Sequence, residues 1–296
     1  PHEPFHCLQR YWDLYEGADI PIPRYPEDMD ERYTSFDRAL NTWHGCDQVD
    51  LRNADSLRAL HRAYLASVSY VDEKVGEILA ALDGLGLADD TIVMVTSDHG
   101  DMLGWRGMVQ KRCFYEQSAR IPLLIAFPDC MGYSPGRVGE PVSLLDIFPT
   151  VLQCAGIEDW LPVDGRSLLP HCRGDVPSDR AVIVENHSEG TTTPCFMVRR
   201  GRYKYTLIHG AERQLFDIED DPAEWENLSG RPAYAEVEQE LRGAILNRFD
   251  PDRIDRELNE SLARRAVVKQ AMVAAGGPRW DYQPYFDESK RYWREG

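Results

Sequence analysis

The sequence has no CxxC pair and no spacing that suggests a disulfide framework. Its seven cysteines stand at 7, 46, 113, 130, 154, 172 and 195. An odd, unpatterned set argues against a four-cysteine zinc site and reads as free thiols in a reducing compartment, the cytoplasm. No apolar run approaches the ~20 residues that a membrane-spanning helix requires. Basic charge is scarce: 33 Lys and Arg against 50 Asp and Glu leave a formal net charge of −17. Nucleic-acid binding needs a cationic face to neutralise phosphates, so no nucleic-acid partner is expected. Pro1–Arg10 is mostly polar, carries two His and does not read as a signal peptide. The three Asn-x-Ser sequons at Asn186, Asn227 and Asn259 are accordingly read as chance. The chain also opens without Met, directly on what reads as a functional loop.

Enough apolar sequence is present to build a substantial core in 296 residues. The first 50 residues are loop-rich, with Pro21, Pro23 and Pro26. From Ser56, a plausible N-cap, apolar residues recur at threes and fours (Leu57, Leu60, Tyr64, Val68, Val71, Val75, Ile78, Leu82). That spacing predicts a long amphipathic helix, stopped by Gly84 and Gly86. Thr91–Thr96 is apolar on both faces, as a parallel strand between helix layers requires, and Ile121–Phe127 is a second such run. Ser143–Gly156 reads as a helix interrupted at Pro149. The order of elements points to an α/β, doubly wound domain over 1–165. Residues 166–250 change texture. Ala181–Val184, Cys195–Val198, Tyr203–Ile208 and Gln214–Ile218 read as a small antiparallel sheet, and Ala235–Phe249 as a helix. Residues 251–296 hold a further helix, Asp255–Ala275, and a tail with six aromatics between Trp280 and Trp293. So much amphipathic surface suits either packing on its own subunit or a homo-oligomer interface, and the interface is the expectation adopted.

Ser97-Asp98-His99-Gly100-Asp101 follows the first apolar strand directly. In open α/β sheets ligands bind beyond the carboxyl ends of strands. A carboxylate beside an imidazole there, with a Gly that permits close approach, suits a divalent cation. The longer pattern is Asp98-His99-Gly100-Asp101-Met102-Leu103-Gly104, Arg106-Gly107, Lys111, Phe114-Tyr115-Glu116 and Ser118-Ala119-Arg120-Ile121-Pro122-Leu123. It resembles the sulfatases of the alkaline phosphatase superfamily, and within them the choline sulfatase and phosphonate monoester hydrolase branch. Pro1-His2-Glu3-Pro4-Phe5 is similar to the family's His-containing loop. Arg199–Tyr205, Gln214-Leu215-Phe216-Asp217, Asp221-Pro222 and Glu226-Asn227-Leu228 resemble its C-terminal subdomain, and Trp280-Asp281-Tyr282-Gln283-Pro284 the choline sulfatase terminus.

The resemblance implies an alkaline-phosphatase-like doubly wound sheet, here partial, with a small C-terminal antiparallel α+β subdomain and a helical, aromatic tail. It implies a sulfuric ester hydrolase acting on a small sulfate ester with a divalent metal, Ca²⁺ first and Mn²⁺ or Mg²⁺ as rivals. Asp98 and His99 match metal ligands. Lys111 and His2 match the residues that contact the sulfate and its bridging oxygen. Glu185 and Glu189 match a region that helps hold an ammonium group, which wants a carboxylate and aromatic faces such as Trp105. The chain also departs from the pattern. No cysteine lies in Cys-x-Pro-x-Arg, the family's formylglycine-forming nucleophile motif, and the early pair of acidic metal ligands has no counterpart. An N-terminal portion carrying both is therefore expected to be absent from this sequence. Trp105 stands where choline sulfatases usually show Glu, and Gln110 where Tyr is common.

Two motifs are decoys. His2-Glu3-Pro4-Phe5-His6 fits HExxH, but Pro4 forbids the helix that would align both His. Asp217–Asp221 imitates a calcium loop yet has Pro222 where Gly is needed. Alternatives to the sulfatase reading are a phosphonate or phosphate monoester hydrolase of the same superfamily, or a metal-binding, oligomerising fragment without catalysis.

Overall fold

The long apolar periodicity folds as one helix because its start and stop are chemically marked. Asn53, three residues before Ser56, caps Ala54–Gly84 by accepting from the N–H groups of Asp55 and Ser56. Gly86, at φ 68°, turns the chain out of it. The computed structural model describes residues 2, 4–46, 50–157, 162–175 and 180–276. In chain order the α-helices are Gln9–Asp13 (α1), Ser35–His44 (α2), Ala54–Gly84 (α3), Glu116–Ala119 (α4), Ile147–Cys154 (α5), Leu169–Cys172 (α6), Ala235–Leu246 (α7) and Pro251–Ala274 (α8). The strands are Val93–Thr96 (β1), Leu123–Ala126 (β2), Ala181–Asn186 (β3), Cys195–Arg200 (β4), Tyr203–Ile208 (β5) and Arg213–Asp217 (β6). Residues 1–251 form one compact unit and 252–296 a second, of which α8 is the described part. The aromatic tail lies outside the described residues. No helix among them is long and apolar enough to cross a membrane.

The two apolar runs expected as parallel strands instead pair with each other, antiparallel, with Val93 opposite Ala126 and Thr96 opposite Leu123. In this two-stranded ladder neither face is fully covered, so Val95 (37 % exposed) and Leu124 (59 %) reach solvent. Pro149 does not interrupt its helix. It is the third residue of α5, in the first turn, where a backbone N–H has no intrahelical acceptor to lose. Ser143 and Asp146 form a capping box just before it. The expected small sheet is present as four antiparallel strands in the order β3-β4-β5-β6. The carboxylates of the Asp217–Asp221 turn surround Arg202, with Asp217 at 2.6 Å and Asp220 at 2.7 Å, as a solvated acidic turn would.

The buried centre lies where the small sheet meets the long loop between β1 and α4. Met197 and Cys195 of β4, Ile208 of β5, Phe216 of β6 and Phe36 and Leu40 of α2 pack around Met102, Met108 and Cys113–Tyr115. A charge cluster is sealed into the same contact. Lys204 lies between Glu116 (3.0 Å) and Glu224 (2.6 Å), and Arg199 reaches the other Glu116 oxygen at 3.0 Å. Glu224 also accepts from the Glu116 N–H at 2.7 Å. The Arg106 guanidinium is stacked between Tyr115 and Trp225, 4.1 and 4.2 Å from their centroids, and donates to the Glu224 carbonyl at 2.6 Å. Burial pushes the Glu224 carboxyl up despite Lys204. Burial acts the same way on Glu116, but Lys204 and Arg199 outweigh it and hold that carboxyl below its usual range.

Two stability predictions follow from these contacts. Lys204→Met leaves the buried Glu224 carboxylate without its cation, while Glu116 keeps Arg199, and should cost about 3–5 kcal/mol in urea unfolding. Adding Glu224→Gln should recover part of that loss. The second concerns His61 of α3, whose ring meets the Leu103 carbonyl at 2.7 Å and whose pKa is lowered by burial. A depressed folded pKa contributes stability that is present above the unfolded value, about 6.5, and is lost as pH falls through the folded one. The urea midpoint should drop between pH 7.5 and 5.5, and His61→Gln should flatten that dependence.

Candidate functional site

The site grows from the end of β1. Ser97–Gly100 forms a tight corner in which Gly100 donates its N–H to Ser118 at 2.8 Å. A Cβ at Gly100 would lie 2.0 Å from the Gln117 carbonyl oxygen, so no side chain fits there. The corner presents Asp98 and His99 together, with His99 Nε2 at 3.4 Å from Asp98 Oδ2. His99 Nδ1 lies 2.8 Å from the Gly100 carbonyl, which leaves Nε2 as the ring nitrogen facing Asp98. Oxygen and imidazole nitrogen suit a divalent ion, and these two residues fit as part of its shell. Among the described residues no group of three or more His, Cys, Asp or Glu completes such a shell.

Beyond the corner the loop doubles back. Met102 N–H meets the Gln110 carbonyl and Gly104 N–H the Met108 carbonyl, both at 2.7 Å. This returns Lys111 toward the corner from which the loop set out. Five non-glycine residues have positive φ among those described: Leu103 (46°), Arg106 (55°), Gln110 (67°), Arg112 (80°) and Glu224 (57°). Four belong to this loop, and the fifth is the residue whose carbonyl binds Arg106. Left-handed backbone at such residues costs on the order of 1–3 kcal/mol each and persists only where the surroundings impose it. Here phenols and an imidazole hold the turn's carbonyls. Tyr25 donates to Gly104 (2.6 Å), Tyr33 to Arg106 (2.5 Å), and His61 binds Leu103. Burial pushes both phenols up to about 12, so they remain donors.

Gln110 and Arg112 thus flank Lys111 with strained backbone. Lys111 is 7 % exposed, and its Nζ lies 3.0 Å from His2 Nε2, across 109 positions of sequence. An ammonium has donors only, so His2 accepts through Nε2. The chain is non-helical from Pro4 to Leu8, and the two His of the HExxH imitation share no helical face. Trp105 packs partly buried against the core around Met102 and Met108. Glu189 pairs with Arg112, whose guanidinium carbon sits 4.6 Å from the centre of the Trp43 ring, and Glu185 pairs with His187 at 2.9 Å. Arg112 and Trp43 went unmarked in the sequence because only the fold joins positions 43, 112 and 189. The buried thiols are not activated: burial pushes Cys113 up to about 12 and Cys195 to about 11, the reverse of what a thiolate nucleophile needs.

Comparison with known proteins places these features in a family. The profile described as Sulfatase matches residues 1–157, and that described as N-sulphoglucosamine sulphohydrolase, C-terminal, matches 104–250. A choline-sulfatase of Rhizobium meliloti (strain 1021) is 37 % identical over 99 % of this chain and 58 % of its own length. A multifunctional alkaline phosphatase superfamily protein of Trinickia caryophylli is 30 % identical over 79 % of this chain and 51 % of its own length. The phosphonate monoester hydrolase of Silicibacter pomeroyi superposes with a TM-score of 0.72 at 28 % identity, covering 83 % of this chain and 53 % of that one. The chain therefore spans about half the length of the relatives it matches, and its fold is an α/β, alkaline-phosphatase-like one. On sequence and fold together, the chain belongs to the sulfatase family.

Proposed function

We propose that this chain supplies the anion-binding side and part of the metal shell of a sulfuric ester hydrolase. The observation that carries the reading is the Lys111–His2 contact at 3.0 Å, made beside a loop that also presents Asp98 and His99. Cleaving a sulfate ester leaves negative charge on the sulfuryl oxygens and on the departing bridging oxygen. Fixed positive charge at the first and a proton donor at the second are what lower the barrier. Lys111 serves as a point donor to the sulfate, held in place by the loop backbone on either side. His2 stands next to it, and with Nε2 accepting from Lys111 its Nδ1 is the ring atom that carries a proton for the bridging oxygen. Asp98 and His99 hold a divalent cation, Ca²⁺ or its rivals Mn²⁺ and Mg²⁺, which when bound adds a fixed positive charge for the same oxygens. The nucleophile belongs to sequence other than this chain, in keeping with the pKa directions of its buried cysteines. A phosphonate monoester is the second reading, supported by the likeness to the Silicibacter pomeroyi enzyme.

On its own, the 296-residue chain should not hydrolyse an aryl sulfate above background, and turnover without added partner would put the nucleophile inside it. In the full polypeptide, Asp98→Ala should remove most bound metal by elemental analysis and lower kcat at least ~10²-fold. Lys111→Ala should retain the metal and lose rate. Full metal occupancy in Asp98→Ala would overturn the ligand assignment, and faster turnover of a phosphonate monoester than of the aryl sulfate would favour the second reading.

The seven free thiols fit a cytoplasmic setting. The aromatic tail is proposed as a homo-oligomer interface. Deleting from Arg279 onward should lower the mass measured by light scattering, and an unchanged mass would assign the tail to its own subunit.

A further inference from the structure

Next in sequence to Lys111, Arg112 fills a seat between an aromatic ring and a carboxylate that suits an organic cation. An aromatic face and a carboxylate are what a quaternary ammonium seeks. Trp43 and Glu189 provide both, but between them lies the Arg112 guanidinium, over the ring at 4.6 Å and ion-paired to Glu189. Several contacts fix this arrangement. Asn186 Nδ2 donates to the Arg112 carbonyl at 2.9 Å and to the Glu189 carbonyl at 3.2 Å, tying both backbones to the end of β3. Gly190, at φ 73°, approaches α2 so closely that a Cβ there would lie 2.3 Å from Leu40 Cδ2. Leu40 and Trp43 are three residues apart on α2 and so share a helix face, which holds the ring and Glu189 on one frame. The nearby Glu185 is also engaged, with His187.

We propose that Arg112 determines the substrate class: the site takes sulfate esters of uncharged or anionic alcohols and rejects quaternary-ammonium alcohols. This rests on the sulfate-ester reading above. An exposed Arg–Glu pair is weak in itself, and Glu189 is 59 % exposed on its side chain. What makes Arg112 hard to displace is tethering. A cation attached to the same chain competes at an effective concentration in the millimolar range or above, whereas a free ammonium competes only at its own concentration. The backbone of Arg112, left-handed and held by Asn186, raises that advantage by keeping the side chain aimed at its seat. The guanidinium also occupies the place a positively charged alcohol would need between Trp43 and Glu189, while its remaining N–H groups donate to hydroxyl or carboxylate oxygens.

The test is calorimetric titration of this chain with choline, with folding checked by circular dichroism. The wild type should show no binding up to about 10 mM, and Arg112→Ala should bind with a low-millimolar Kd. Arg112→Ala with Glu189→Gln should lose that binding again. Arg112→Met, which keeps the aliphatic stem on Trp43, replaces Arg112→Ala if the latter unfolds. Equal binding by wild type and variant, or none by either folded variant, overturns the proposal. In the full polypeptide, Arg112→Ala should raise kcat/KM for choline sulfate relative to an aryl sulfate at least ~10-fold. If no sulfate ester is hydrolysed while choline binds only the variant, the hydrolase reading fails and the seat stands. If wild type turns over choline sulfate as well as the variant does, the seat fails and the hydrolase stands.

Discussion

Lys204, sealed between Glu116 and Glu224, is the contact on which the rest of the site depends. Its strand β5 belongs to the small sheet, Glu116 begins α4, and Glu224 follows β6, so one ammonium joins the small sheet to a helix 88 positions away in sequence. Glu224 then passes the constraint on. Its backbone sits at positive φ, which turns its carbonyl to Arg106 while its side chain caps the Glu116 N–H. Arg106 lies within the loop that carries Lys111, and Tyr115 and Trp225 hold its guanidinium from both faces. Burying several charges in this way gains little net stability against an apolar alternative. Its effect is geometric: the loop has one way to sit on the sheet.

That explains how four residues in ten tolerate a left-handed backbone without being glycine. The strain at 103, 106, 110 and 112 would relax in a loop held only by solvent. It persists because Met102, Met108 and Cys113–Tyr115 pack into the core against the small sheet, and because Tyr25, Tyr33 and His61 bind the turn's carbonyls. A strained loop anchored at both ends is a means of holding a buried Lys in one position, which is what a point donor to an anion requires.

The parts of this arrangement that local chemistry dictates were legible in the sequence. Asp98-His99-Gly100 after an apolar strand marked the corner, and the short strand segments between Ala181 and Ile218 marked the small sheet. Partner choice was not. Apolar runs at Thr91–Thr96 and Ile121–Phe127 say that two strands want burial, and they carry no information on direction, so their antiparallel pairing escaped. The positive φ angles at Gln110 and Arg112 had no glycine to announce them. Nor does the sequence tell that Glu189 meets Arg112, because the two lie 77 positions apart.

The distribution of burial separates what this chain settles by itself from what it does not. The face of the small sheet under the Lys111 loop is closed: Cys195, Met197, Ile208 and Phe216 are all buried there. Of the 31 residues of α3, only Leu57 and Ala66 are buried, and β1 and β2 keep Val95 and Leu124 in solvent. The loop's geometry therefore rests on the closed side. Arg112, Glu189 and Trp43 draw their positions from that side as well, through Asn186 of β3 and through Leu40, which is itself a core residue. Asp98 and His99 draw theirs from the end of β1, on the open side, anchored by Gly100 against α4. Lys111 and the residue proposed to select the alcohol are thus fixed by one packed interface, and the Asp98–His99 corner meets α4 through the Gly100 N–H.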